Sequence, residues 1–139
     1  MGSSVQAAEL ADMVIETASD ASSDASPAAV AGALDQAHLA RMTFGDRKLE
    51  KEVLDLFERQ ACMLLGRMQD AAPAVITALA HTLNGSASGI GAWRVAGAAQ
   101  ELERVASGRE QGNVAAATAR LSAAVSVAQM AIAERRRAG

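Results

Sequence analysis

The stretch Pro73-Ala74-Val75-Ile76-Thr77-Ala78-Leu79-Ala80-His81-Thr82-Leu83-Asn84-Gly85-Ser86-Ala87 reads as one amphipathic helix. Its larger apolar residues, Val75, Ile76, Leu79 and Leu83, follow the i, i+3/4, i+7/8 spacing that gathers side chains on one helical face. At about 100° per residue, His81 lies roughly 140 to 160° from Ile76, Leu79 and Leu83, on the solvent side. Around it on that side stand Ala74, Thr77, Ala78, Asn84, Gly85 and Ser88, so no long side chain guards the imidazole. A glycine inside a helix costs about 1 kcal/mol relative to alanine, so Gly85 asks for a reason such as the close approach of another backbone.

The rest of the composition agrees with a helical fold. Half of the 139 residues are apolar, yet there are only two Phe, one Trp and no Tyr. A core of Ala, Leu, Val, Ile and Met suits close-packed helices better than sheets rich in aromatic and β-branched residues. The length suffices for one domain with a real core. There is no uninterrupted apolar run of membrane-spanning length and no basic stretch leading into an apolar one at the N-terminus, so the expectation is a soluble, cytoplasmic protein without a membrane role.

Charge is divided unevenly. Residues 1–33 hold Glu9, Asp12, Glu16, Asp20 and Asp24 without a Lys or Arg, leaving 13 basic against 11 acidic residues in the remainder. A nearly neutral folded part argues against a nucleic-acid partner. We divide the chain into a flexible, acidic, Ala/Ser-rich segment over 1–33 and a helical bundle over 34–139. Residues 19–29 have linker composition. Before them, Val5, Leu10, Met13, Val14 and Ile15 suit a short helix with an acidic face.

Capping residues place the elements of the bundle. Asp35 caps a short helix through Arg41, and Asp46, after the Gly45 turn, caps a second from Arg47 to about Gln69. Its buried face is expected to use Leu49, Val53, Leu56 or Phe57, Leu64 and Met68. Pro73 suits the first turn of the His81 helix, and Ser86-Ala87-Ser88-Gly89-Ile90-Gly91 is expected to break or bend it. A further helix follows near Ala92 to Ala106, stopped at Ser107-Gly108, and the last runs from Asn113 to about Arg136. Helices joined by such short connections pack most economically as an antiparallel four-helix bundle, here with an extra short N-terminal helix.

Several residues read as structural. Cys62, the single cysteine, sits among Leu56, Ala61, Leu64 and Leu65 and reads as a packed thiol; alone, it excludes an internal disulfide or a multi-thiolate zinc site. Trp93 reads as a packing anchor, His38 as a surface or end-capping residue, and Arg135-Arg136-Arg137 as a dipole-favoured helix end. There is no Gly-rich phosphate loop, and Gly89-Ile90-Gly91 lacks the third glycine and the strand of a dinucleotide fingerprint. An exposed neutral imidazole, by contrast, is a competent nucleophile toward phosphorus, and the N–P bond it forms is energetic enough to pass the group on.

The run His81-Thr82-Leu83-Asn84-Gly85-Ser86 resembles the H-x-L-K-G-S/A signature of histidine-containing phosphotransfer (HPt) domains. Leu39, Gly45-Asp46, Leu49, Val53, Leu54 and Phe57 upstream, with Gly91-Ala92 and Leu102-Glu103 downstream, extend the likeness over about residues 34 to 135. The resemblance implies that His81 is a phosphoacceptor, taking a phosphoryl group from the aspartate of one response-regulator receiver domain and giving it to another. It implies docking over Thr77, Ala78, Asn84, Gly85 and Ser88, with a hybrid sensor histidine kinase upstream in the relay. Such a chain is a monomeric phosphocarrier rather than an enzyme, without a cofactor of its own; Mg²⁺ comes from the receiver.

The sequence departs from the signature at Asn84, where the family usually has lysine. A neutral amide gives the phosphoryl oxygens about half the support of a charged donor. Gln100 and Arg104, on a polar stripe of the following helix, are the candidates for the missing support. One alternative is a non-phosphorylated adaptor that binds receiver or kinase domains, with Asn84 marking the loss of chemistry. Another is a dimeric kinase phosphoacceptor domain, disfavoured by Thr82, where an acidic residue usually follows the histidine.

Overall fold

The computed structural model describes residues 26–138. Among them the order is α1 (Pro27–Ala31), α2 (Gln36–Met42), α3 (Arg47–Met68), α4 (Pro73–Ile90), α5 (Trp93–Ala106) and α6 (Val114–Ala138), with no strand. The protein is all-α, a helical bundle. The helix suggested near Val5 to Ile15 lies outside the described residues.

Local chemistry accounts for the starts. The Asp35 carboxylate accepts from the backbone N–H of His38 at 3.0 Å, and Asp46 accepts from Lys48 and Leu49 at 2.9 and 3.2 Å. Asn113 receives the Ala116 N–H at 2.9 Å, placing α6 directly after it. These acceptors satisfy N–H groups that have no partner within their own helix. α1 forms inside the stretch of linker composition: Ser26 accepts from Ala29, Pro27 takes the first turn, and Val30 is buried as α1 packs on α6.

Ser86 to Gly89 do not break α4, which runs to Ile90. Ala87 and Ile90 are both in the core, and their burial outweighs the weak propensity of the Ser and Gly residues between them. The stop is Gly91, at φ +79°, whose N–H returns to the Ala87 and Ser88 carbonyls. A Cβ at Gly91 would also lie 3.0 Å from Asp35 Cβ and 3.1 Å from the Asp35 carbonyl oxygen. The Asp35 N–H donates to the Gly91 carbonyl at 3.0 Å, tying the start of α2 to the end of α4. Both the left-handed conformation and the close approach require glycine there.

The long helices close a ring: α3 packs on α4, α4 on α5, α5 on α6 and α6 back on α3. Leu39, Leu54, Leu83, Leu102, Leu121 and Ile132 fill its centre, one from each of α2 to α6 and a second from α6, all essentially without solvent contact. Burying each contributes about 1.5 to 3 kcal/mol. α6 is long and apolar enough to cross a membrane by length and composition. Ala117, Leu121, Val125, Ala128 and Ile132 instead face the bundle interior.

Other readings require correction. Val75 is exposed where burial was expected, and of the two alternatives on α3 it is Phe57 that enters the core while Leu56 is exposed, because each exposed residue lies about 100° round its helix from the buried face. Cys62 is also exposed rather than packed. It lies roughly 140° from Phe57, toward α6, where the Gln129 amide donates to its Sγ at 3.4 Å. Trp93 bridges from outside: its indole N–H donates to Asp35 at 2.9 Å, and its ring tilts against His38 at 5.0 Å. His38 is therefore part-buried, with Nε2 enclosed.

Candidate functional site

α4 carries His81 at its midpoint, and packing of Ile76, Leu79, Leu83 and Ala87 into the core turns the imidazole outward. Its side chain is 73% exposed. The ring is nonetheless held: Nδ1 lies 3.1 Å from Oε2 and 3.3 Å from Oε1 of Glu103. Glu103 projects from α5, whose Val95, Ala99 and Leu102 face the core, and its side chain is only 18% exposed. An ionised carboxylate only accepts hydrogen bonds, so Nδ1 is the donor and the lone pair of the neutral ring sits on Nε2, facing solvent. A fixed tautomer with a free, outward nitrogen is the arrangement a nucleophile at Nε2 needs.

The same carboxylate has a second partner. Arg109 Nη2 lies 3.6 Å from Glu103 Oε2, and Arg109 Nε donates to Ser107 Oγ at 3.1 Å. This arginine reaches the site from the α5–α6 connection. Arg104 does not reach it, because its Nε is engaged by Glu110 at 2.7 Å. Gln100 is exposed on α5.

The remaining sequence candidates form the surface around the ring. Asn84 accepts from Ser88 Oγ at 3.3 Å, and Thr77 turns its hydroxyl back to the Pro73 carbonyl at 2.8 Å. Ala78 is exposed. A Cβ on Gly85 would meet nothing within 4 Å among the described residues, so no backbone among them explains that glycine. No helical period links Glu103 or Arg109 to His81; the crossing of α4 and α5 brings Glu103 to the ring, and the α5–α6 connection brings Arg109 to the same carboxylate.

Beside this face runs an apolar groove of about 300 Å³ between α2, α3 and α4, lined by Met42, Val53, Leu56, Phe57, Gly85 and Ile90 among others. Two of its large apolar lining residues are well exposed, Leu56 at 58% and Met42 at 52%. Ser86 donates to Gln60 across the groove floor, fixing α3 against α4. The exposed imidazole thus shares α4 with a small-residue surface and with one wall of an apolar groove.

The family model described as Hpt domain matches residues 52–135, from α3 through most of α6. No curated protein and no solved structure matches the chain. Because the match takes in α3 to α6, and with them both the imidazole and the helices that hold it, the chain belongs to the Hpt domain family, whose members serve phosphorelays as histidine phosphocarriers rather than as classical enzymes.

Proposed function

We propose that His81 is the phosphoacceptor of a cytoplasmic phosphorelay and shuttles a phosphoryl group between the aspartates of receiver domains, downstream of a hybrid sensor histidine kinase. The observation that carries this reading is the His81 ring itself, open to solvent at Nε2 while Nδ1 is held 3.1 Å from Glu103. In the forward step Nε2 attacks the phosphorus of an aspartyl phosphate. The N–P bond forms as the P–O bond breaks, and the aspartate leaves as carboxylate with the electron pair. Nδ1 keeps its proton, so the ring becomes cationic beside the Glu103 carboxylate, which stabilises the charge as it develops. In the return step a carboxylate oxygen of the second receiver's aspartate attacks the phosphorus, a P–O bond forms as the N–P bond breaks, and the electron pair of that bond goes back to Nε2.

The bundle supplies no in-line metal chemistry in this scheme; Mg²⁺ arrives with the receiver and neutralises the transferred group. Docking uses Thr77, Ala78, Asn84, Gly85 and Ser88 around the ring and extends over Leu56 and the α3–α4 groove. The open space above Gly85 admits the partner's loops. The carrier works as a monomer, and its interface is small enough to release each partner in turn.

The test is phosphoryl transfer from a phosphorylated receiver domain to the full chain and to His81→Gln, recording the acid and base lability of the product. Acid-labile label on the wild type and none on His81→Gln is the expected result. Receiver binding without label on either protein overturns the carrier reading in favour of an adaptor.

A further inference from the structure

We propose that Arg109, on the α5–α6 connection, is the cation that stabilises the phosphoryl group on His81; this rests on the phosphocarrier reading above. A phosphoryl group on Nε2 brings about two negative charges to a ring already beside the Glu103 carboxylate. The cationic ring offsets only part of this charge, so such a site favours a further positive group beside the phosphoryl oxygens. Residue 84, one turn along α4 from the histidine, is a neutral asparagine whose carbonyl is occupied by Ser88. Arg104 is drawn aside by Glu110.

Arg109 already stands at the carboxylate. Its Nη2 is 3.6 Å from the oxygen, Glu103 Oε2, that receives the His81 Nδ1–H at 3.1 Å. Its side chain is 64% exposed, and apart from Glu103 its Nε donates to the Ser107 hydroxyl at 3.1 Å. The backbone that presents it is fixed. Gly108 takes φ +83°, and the N–H groups of Arg109 and Glu110 both return to the Arg104 carbonyl, at 3.0 and 3.1 Å. A guanidinium on a fixed turn, loosely paired with Glu103, has to exchange only the neutral Ser107 hydroxyl to share itself between the carboxylate and an arriving phosphoryl group, a charged acceptor that binds it more strongly.

The experiment uses the full chain and potassium phosphoramidate, a small donor that needs no partner protein. Nε2 attacks the donor phosphorus, the N–P bond to His81 forms, the donor P–N bond breaks and ammonia leaves. The titration of the attached phosphoryl group is then followed by ³¹P NMR. Arg109 favours the dianion, so Arg109→Ala moves the midpoint up by roughly half a pH unit, the size of a unit charge acting about 6 Å away through water. Arg109→Lys keeps the wild-type midpoint, and adding Asn84→Lys to Arg109→Ala brings it back down. An unchanged midpoint in Arg109→Ala, or a rise in Arg104→Ala alone, overturns the assignment of Arg109. No ³¹P signal on the wild type overturns the phosphocarrier reading itself, and the assignment with it.

Discussion

Glu103 on α5 holds Nδ1 of His81 on α4 at 3.1 Å, joining a largely shielded carboxylate to a largely open imidazole. The pairing converts a freely rotating surface side chain into an oriented one, and it leaves the distal nitrogen as the one with a free lone pair.

Removing that hold slows transfer without unfolding the bundle. A charge-assisted hydrogen bond of about 1.5 kcal/mol corresponds to roughly a tenfold loss of rate in Glu103→Ala, with Glu103→Gln in between. Initial rates from a phosphorylated receiver, with circular dichroism melting as the check on folding, measure it. A rate equal to wild type in Glu103→Ala shows that the contact has no part in transfer.

Gly85 separates stability from docking. A methyl group there meets nothing within 4 Å among the described residues, so Gly85→Ala stabilises α4 by up to about 1 kcal/mol. The same methyl group intrudes on the partner. Urea denaturation is expected to show the gain while calorimetric titration with a receiver shows weaker binding.

Leu56 lines the neighbouring apolar groove, and it contributes little to the core. Leu56→Lys therefore changes folding stability by no more than about 0.5 kcal/mol. Receiver affinity falls at least about tenfold if Leu56 is a central interface contact. Unchanged affinity removes the α3–α4 groove from the docking surface.

Glu50 contributes to the pH dependence of the bundle at the acid end. It is buried, and Arg135 donates to it at 2.6 and 3.2 Å. Those hydrogen bonds, opposed by burial, hold its carboxyl below the ordinary value of 4.5. The unfolded chain thus binds the proton more readily, so the pair's stabilisation is present above about pH 4.5 and is lost as pH falls through the depressed value. Glu50→Ala leaves Arg135 uncompensated and costs about 3 kcal/mol at neutral pH, read from urea denaturation. The mutant is expected to lose less of its stability than wild type on acidification through this window.

The helix order and the exposure of His81 were legible because both rest on local signals: Asp35, Asp46 and Pro73 mark starts, and a 3.6-residue period marks faces. The continuation of α4 to Ile90 was not, since only the tertiary burial of Ala87 and Ile90 overrides the Ser and Gly residues around them. α1 had its signal in Ser26-Pro27, masked by the composition of its surroundings. Cys62 was misread because apolar neighbours in sequence lie on a different face of α3. Around His81, the small-residue surface followed from spacing. Glu103 and Arg109 stand 22 and 28 residues further on, and no periodicity connects them to the ring. The diversion of Arg104 to Glu110 depends on the turn after α5, which spacing alone does not describe.

The most direct measurement is the position of the phosphoryl group after transfer from a phosphorylated receiver, mapped by ³¹P–¹⁵N and ¹H–¹⁵N NMR on the histidine-labelled full chain. The expected spectrum shows phosphorus bonded to Nε2 of His81, with the Nδ1 proton retained. Phosphorus on Nδ1, on His38 or on no histidine contradicts the role assigned to the His81–Glu103 pair.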